Sequence, residues 1–268
     1  MEDTMRSLVR ALHAELLKTK RTLAFWLALI APLVVIALQV VMIWERRDYY
    51  LTHEMARPAW YEYGAQTTVL WGLLMLPLFV TLETALVAQW EHQGGQWKHL
   101  FALPIPRWTL YAAKQIGGMA LIGLSIAALI GLIVGSGWGL RLLIPGLGFE
   151  APVPWAEFAR YGLAMFLGSW LAIAIQTWVA QRWPSFAVAS GVGIALTIIG
   201  AVVIQSDWAS TYAYTLPVIV ANGFASEAMR SLNGFTDGLP WTQLALGSVG
   251  GIAAAILGGW QVIRRDVL

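Results

Sequence analysis

Between Leu23 and Trp44 the chain runs without a single charged side chain. Hydrocarbon offers a peptide group no hydrogen-bond partner, so a segment crossing it must pair its own backbone. A helix of about 20 apolar residues does so. Comparable blocks recur near 65–90, 110–135, 158–181, 185–205 and 242–263. Charged residues make up 12% of the chain, about half the usual share of a soluble domain. Seventeen basic and fifteen acidic residues cannot clothe a soluble fold of this size. These features predict an all-α integral membrane protein, a single transmembrane domain over 1–268 with six transmembrane helices, the first near 22–44.

The first block is too long for the apolar core of a signal peptide and lacks a small-residue cleavage site, so a retained first span is expected. Before it, residues 4–20 repeat at helical spacing. Met5, Leu8, Val9, Leu12, Leu16 and Leu17 share one face, and Arg6, Arg10, His13 and Lys18 lie away from it. Residues 1–21 therefore predict an amphipathic helix. It lies either in the membrane interface or in water beside it, and an apolar stripe with no soluble core to join favours the interface. Pro184, beside Arg182 and Trp183, marks a tight hairpin between the fourth and fifth blocks. Residues 206–241 are too long for a turn and are broken by Pro217, Asn222 and Gly223. They predict short outer-face or re-entrant helices before the last span.

Basic residues orient the chain. With the N-terminus inside, all four lysines (Lys18, Lys20, Lys98 and Lys114) fall on inner segments, with Arg6, Arg10, Arg21, Arg107, Arg182, Arg264 and Arg265. The outer segments hold Arg46, Arg47, Arg57, Arg141, Arg160 and Arg230. Both termini are expected in the cytoplasm of a bacterial cell, with 206–241 extracytoplasmic and the spans in the cytoplasmic (inner) membrane. Trp26, Trp44, Trp60, Trp90, Trp108, Trp155, Trp183, Trp208, Trp241 and Trp260 fall at expected span ends, as indoles at the headgroup level do. An aromatic ligand cage is the other reading. Gly131/Gly135 and Gly247/Gly251 have the spacing of close helix contacts and are candidates for a dimer seam.

Several chemistries are excluded. The chain has no cysteine and no phosphate-binding G-x-x-x-x-G-K-[ST] loop. Gln93-Gly94-Gly95-Gln96 resembles the end of an ATP-cassette signature, but no nucleotide-binding domain surrounds it. His13, His53, His92 and His99 all lie outside the expected spans, and His92 and His99 match no standard metal spacing. No catalytic residues, metal or bound cofactor are expected, and no nucleic-acid partner.

Glu83 is the one acid well inside a block. A charge there costs ~2.5–3.5 kcal/mol on insertion scales. It is a functional residue facing a cavity or a basic partner, or it lies near enough to the inner end to reach water. The segment 91–107 is expected in the cytoplasm. It combines Glu91, the glycine pair Gly94-Gly95, an amphipathic stretch and a stiff Pro104-Ile105-Pro106 stop. Trp97, Leu100, Phe101 and Leu103 form either a patch for docking a partner or a linker lying on lipid.

Three features resemble one family. Ala14-Glu-Leu-Leu-Lys-Thr-Lys-Arg-Thr22 leads into a span containing Pro32. A glycine-containing segment after the second span leads into Trp97-Lys98-His99-Leu100-Phe101-Ala102-Leu103-Pro104-Ile105-Pro106-Arg107 and on to Lys114. Six apolar blocks fill this length. The chain resembles the ABC-2-type transporter permeases, of the small kind found in bacterial self-resistance and lantibiotic-immunity export systems. The resemblance implies a pair of permeases, a second copy or a homologue, in membrane lipid with two copies of a separate ABC ATP-binding subunit. That subunit would hold the ATP and Mg. It also implies an ATPase-coupling role for Glu91, His92, Gly94, Gly95, Trp97, Lys98, Leu100, Phe101 and Arg107. The cargo it implies is amphipathic: an antimicrobial peptide, a lipid-like molecule or a drug. Two alternatives are an ATPase-coupled sensing or resistance module without net transport, and an ion-driven carrier. The carrier would need more buried ionisable groups than Glu83.

Overall fold

The computed structural model describes residues 2–20, 22–53, 58–93, 106–223 and 239–264. Among them there is no strand, and six helices are long and apolar enough to cross a bilayer. These are Leu23–Glu45, Ala59–Gln89, Arg107–Leu143, Trp155–Arg182, Phe186–Val203 and Trp241–Val262. A further helix, α1 (Glu2–Thr19), precedes the first span. The protein is an all-α, multi-pass membrane protein.

Proline sets where most spans begin. Pro58, Pro106, Pro154 and Pro240 sit directly before the second, third, fourth and sixth. A proline holds the residue before it extended and has a φ ready for a helix start. The fifth begins after Pro184 at Ser185, whose hydroxyl accepts the Val188 N–H.

Two spans run longer than their hydropathy predicts. The second starts at Ala59 rather than near 65, because Trp60, Tyr61 and Tyr63 are helical yet only weakly hydropathic. The third continues past 135 to Leu143, where Gly135, Gly137 and Gly139 dilute the apolar signal without breaking the helix. Its 37 residues make a rod of about 55 Å. Hydrocarbon is about 30 Å thick, so the rod is longer than the layer it crosses.

Helix contacts form around glycines. A Cβ on Gly247 would stand 2.6 Å from the Gly168 Cα, and one on Gly251 would stand 2.7 Å from the Trp170 backbone. The sixth span thus lies backbone to backbone on the fourth. Gly193 of the fifth abuts Thr81 of the second and Gln176 of the fourth. The Gly247/Gly251 pair expected at a dimer seam is therefore an intramolecular seam, whereas Gly131 and Gly135 meet nothing within 4 Å.

A π-helical turn, Trp71–Met75, interrupts the second span. At Gly72 within it, a Cβ would come 3.0 Å from the Val218 Cα. Residues 216–223 are helical, with Leu216, Val218, Val220 and Ala221 buried. They dip between the second and fourth spans, as non-spanning backbone at that depth must when it is covered by protein.

The tryptophans at 26, 44, 108, 155, 183, 208, 241 and 260 are exposed, as a belt requires. Trp60, by contrast, is buried at 1% exposure. It packs edge-on against Phe149, abuts Gly137, and donates its indole N–H to the Ala151 carbonyl at 2.8 Å.

Gly247→Ala has no room against the fourth span and is expected to cost about 1–3 kcal/mol. Gly131→Ala is expected to leave stability unchanged or raised. Thermal unfolding in mild detergent, followed by size-exclusion chromatography, separates the two. Equal midpoints would contradict the seam.

Candidate functional site at the base of the third span

One end of the bundle gathers α1, the start of the third span, the turn between the fourth and fifth, and Arg264. There α1 lies along the third span. Its inward face is Ala11 and Glu15, both buried, while Val9, Leu16 and Leu17 stay exposed. The expected apolar stripe is thus not the buried face: Leu8 and Leu12 are half-buried, and Val9, Leu16 and Leu17 are exposed.

Glu15 is the polar centre of this contact. Its Oε1 accepts from Lys114 Nζ at 3.2 Å and from Lys18 Nζ at 3.1 Å. Glu15 is 8% exposed and Lys114 6%. Burial pushes the Glu15 carboxyl up, but the ammonium groups of Lys114 and Lys18 outweigh it and hold it below its ordinary value. A buried charge pair of this kind specifies position more than it adds stability. Removing one partner strands the other.

One helical turn above Lys114, Gly118 leaves space for Glu83. A Cβ at Gly118 would be 3.5 Å from Glu83 Oε1. Glu83 is 1% exposed, and its Oε2 has no hydrogen-bond partner among the described residues. Lys114, Thr84, Thr177 and Gln181 join it around a cavity of about 20 Å³, roughly room for one water. The third span therefore presents Lys114 both to Glu15 of α1 and to the chamber holding Glu83.

A second polar knot ties the fourth span to the fifth and to the outer segment. Gln176 donates to the Ala189 carbonyl at 2.8 Å and accepts from the Tyr214 hydroxyl at 2.8 Å. Both of its amide groups are satisfied, so this knot is structural.

Of the residues read as a coupling segment, Glu91 and His92 continue the second-span helix, which runs to Gln93. Arg107 opens the third. Gly94, Gly95, Trp97, Lys98, Leu100 and Phe101 lie outside the described residues. Glu15 and Lys114 were not singled out from sequence. The available signals were an acid on the edge of an apolar stripe and a lysine one turn inside an apolar run. Among the described residues no group of three or more His, Asp or Glu side chains is placed to hold a metal.

Residues 11–203 match the family model described as ABC-2 family transporter protein. No curated protein matches the chain.

Glu15→Gln is expected to release α1, with a cost of up to about 3–5 kcal/mol for stranding Lys114. Pairing Glu15→Leu with Lys114→Met should recover most of that. A spin label on Val9→Cys, the sole thiol in an otherwise cysteine-free chain, reads release as increased mobility. Unchanged mobility in Glu15→Gln would refute the latch. Because the folded Glu15 value lies below the ordinary 4.5, its contribution is whole above pH 4.5 and disappears as pH falls through the folded value. The wild-type spectrum should accordingly hold constant from neutrality down to that point and loosen only below it.

Proposed function

The chain belongs to the ABC-2 family of transporter proteins, whose members are membrane components of ABC transporters, and from that premise we propose that it is the permease subunit of an ATP-driven exporter of an amphipathic compound. The match over residues 11–203, in a chain with six membrane-length helices, carries this reading. A partner ABC ATP-binding subunit is expected for any permease of this family. Two copies of it on a pair of permeases, in a bacterial cytoplasmic membrane with both termini inside, complete the proposal. The placement of basic residues supports that orientation. ATP hydrolysis then belongs to the partner, which holds the ATP and Mg, and this chain has no catalytic site of its own.

The segment 91–107 is the proposed contact with the ATPase, with Glu91, His92, Gly94, Gly95, Trp97, Lys98, Leu100, Phe101 and Arg107 in it. In sequence it joins the second span to the start of the third, the span that carries Lys114. Closure of two ATP-bound subunits would push on this segment and so on the third span. Nucleotide drives such a change only by binding the two arrangements differently. A rod that is latched to α1 and packed most extensively along the first span would carry both with it.

Affinity purification in mild detergent from the native membrane should yield a stoichiometric ATP-binding subunit whose hydrolysis rate depends on this chain. Glu91→Ala, Trp97→Ala and Phe101→Ala are expected to keep membrane insertion while uncoupling hydrolysis from export. Wild-type coupling in all three would reject the contact assignment. A chain that comes out alone and fails to bind a co-expressed ATPase from its own operon would reject the permease reading.

A further inference from the structure

On the side of the third span away from the second lies a groove closed by the fourth and sixth spans. It has a volume of about 520 Å³ and is lined almost wholly by carbon. Sites for small molecules have volumes of about 300–1,000 Å³, are mostly apolar, and carry a few polar groups. The groove starts at Trp108 and Trp260 and ends at Met119 and Ile252. Eleven residues of helix rise make about 16 Å, close to half of a ~30 Å hydrocarbon core. The groove is thus as long as one leaflet is deep, and both tryptophans at its mouth are exposed, as indoles that anchor at the headgroup level are.

Two further observations point to what fills it. Tyr111 and Gln115 line the groove and are each 4% exposed. The Tyr111 hydroxyl, both Gln115 amide atoms and the Trp170 indole N–H have no hydrogen-bond partner among the described residues. Leaving such donors unpaired is costly, and an occupant with carbonyl oxygens would accept from the Tyr111 hydroxyl and, once Gln115 turns outward, from its amide nitrogen. At the mouth, the Arg264 guanidinium stands 3.9 Å from the Trp260 ring centroid, where it would meet an anionic headgroup.

We propose that this groove is a binding site for an anionic phospholipid of the inner leaflet. One acyl chain lies between the third and sixth spans and runs down to Trp170, the ester carbonyls reach Tyr111 and Gln115, and the headgroup phosphate pairs with Arg264. The leaflet rests on the orientation proposed above, whereas occupancy by lipid is independent of transport.

The test uses the full chain, without any ATPase, in vesicles containing phosphatidylglycerol or phosphatidylcholine with a photoactivatable acyl chain. Labelling should concentrate on residues 108–119 and 252–260 and be stronger with phosphatidylglycerol. Ala255→Trp fills the groove and should cut that labelling severalfold. Ala253→Trp, the same bulk on an exposed position outside the groove, should leave it unchanged. Arg264→Gln should remove the preference for phosphatidylglycerol while the acyl labelling persists. Labelling spread evenly over all six spans, or unaltered by Ala255→Trp, overturns the site. Equal wild-type labelling by both lipids overturns the headgroup assignment. A chain-to-chain cross-link across the groove in place of lipid labelling makes it a contact with a second copy and overturns the proposal. None of these results depends on ATPase binding, so failure here leaves the permease reading standing.

Discussion

Apolar side chains gain nothing by leaving lipid for one another, so helices in hydrocarbon are held by how closely their surfaces meet and by the few polar bonds between them. In this protein that constraint falls on particular glycines. Gly247 and Gly251 bring the sixth span onto the Gly168 and Trp170 backbone of the fourth. Gly193 admits Thr81 and Gln176 between the fifth, second and fourth spans, and Gly72 admits the 216–223 helix. Each contact removes a Cβ so that dispersion acts across the whole helix surface rather than through side-chain tips. The unusual features of the fold follow from it. The second span takes a π turn where Gly72 meets backbone, and the third stays helical through a glycine-rich end because Trp60 fills the notch at Gly137.

Polar groups inside the bundle fall into two kinds. Some are closed pairs. Gln176 bonds Tyr214 and the Ala189 carbonyl, and Tyr63 bonds Ser136 at 2.7 Å. Such pairs fix register between helices and have no capacity left for chemistry. Others are open. Glu83 has an oxygen without a partner beside a water-sized cavity, and Gln115 has a whole amide unanswered. An open polar group in low dielectric is expensive, and these two lie on the second and third spans within about a turn of Lys114.

The number and order of spans were legible in the sequence because hydrocarbon demands about 20 apolar residues whatever the neighbours are. Span ends were less so where aromatic or glycine residues stand in for aliphatic ones, as at Trp60 and Gly137. An indole near a span end reads as an interface anchor unless the glycine that receives it is known, and that glycine is on another helix. The G-x-x-x-G spacing reported that Gly247 and Gly251 share a face. Whether the face meets this chain or a second one is tertiary information that spacing does not contain. The Glu15–Lys114 pair was hidden for the same reason: its partners are 99 residues apart. Most of the coupling segment, from Gly94 to Phe101, lies outside the described residues, so its reading rests on family likeness.

The third span links these features. It touches α1 through the buried Glu15–Lys114 pair, and it also borders the Glu83 chamber on one face and the apolar groove on another. An α-helix transmits displacement along its axis because each backbone bond is closed within four residues. Lateral displacement, by contrast, requires its neighbours to repack. The first span is its least confined neighbour, with much of its surface exposed, whereas the fourth and sixth are clamped to each other by glycine contacts. A push at Arg107 therefore meets least resistance if the third span moves with α1 and the first span as one body against the fourth and sixth. The Glu15–Lys114 pair then acts as the joint that keeps α1 with that body, and the groove between the two bodies is where a bound acyl chain would feel the movement.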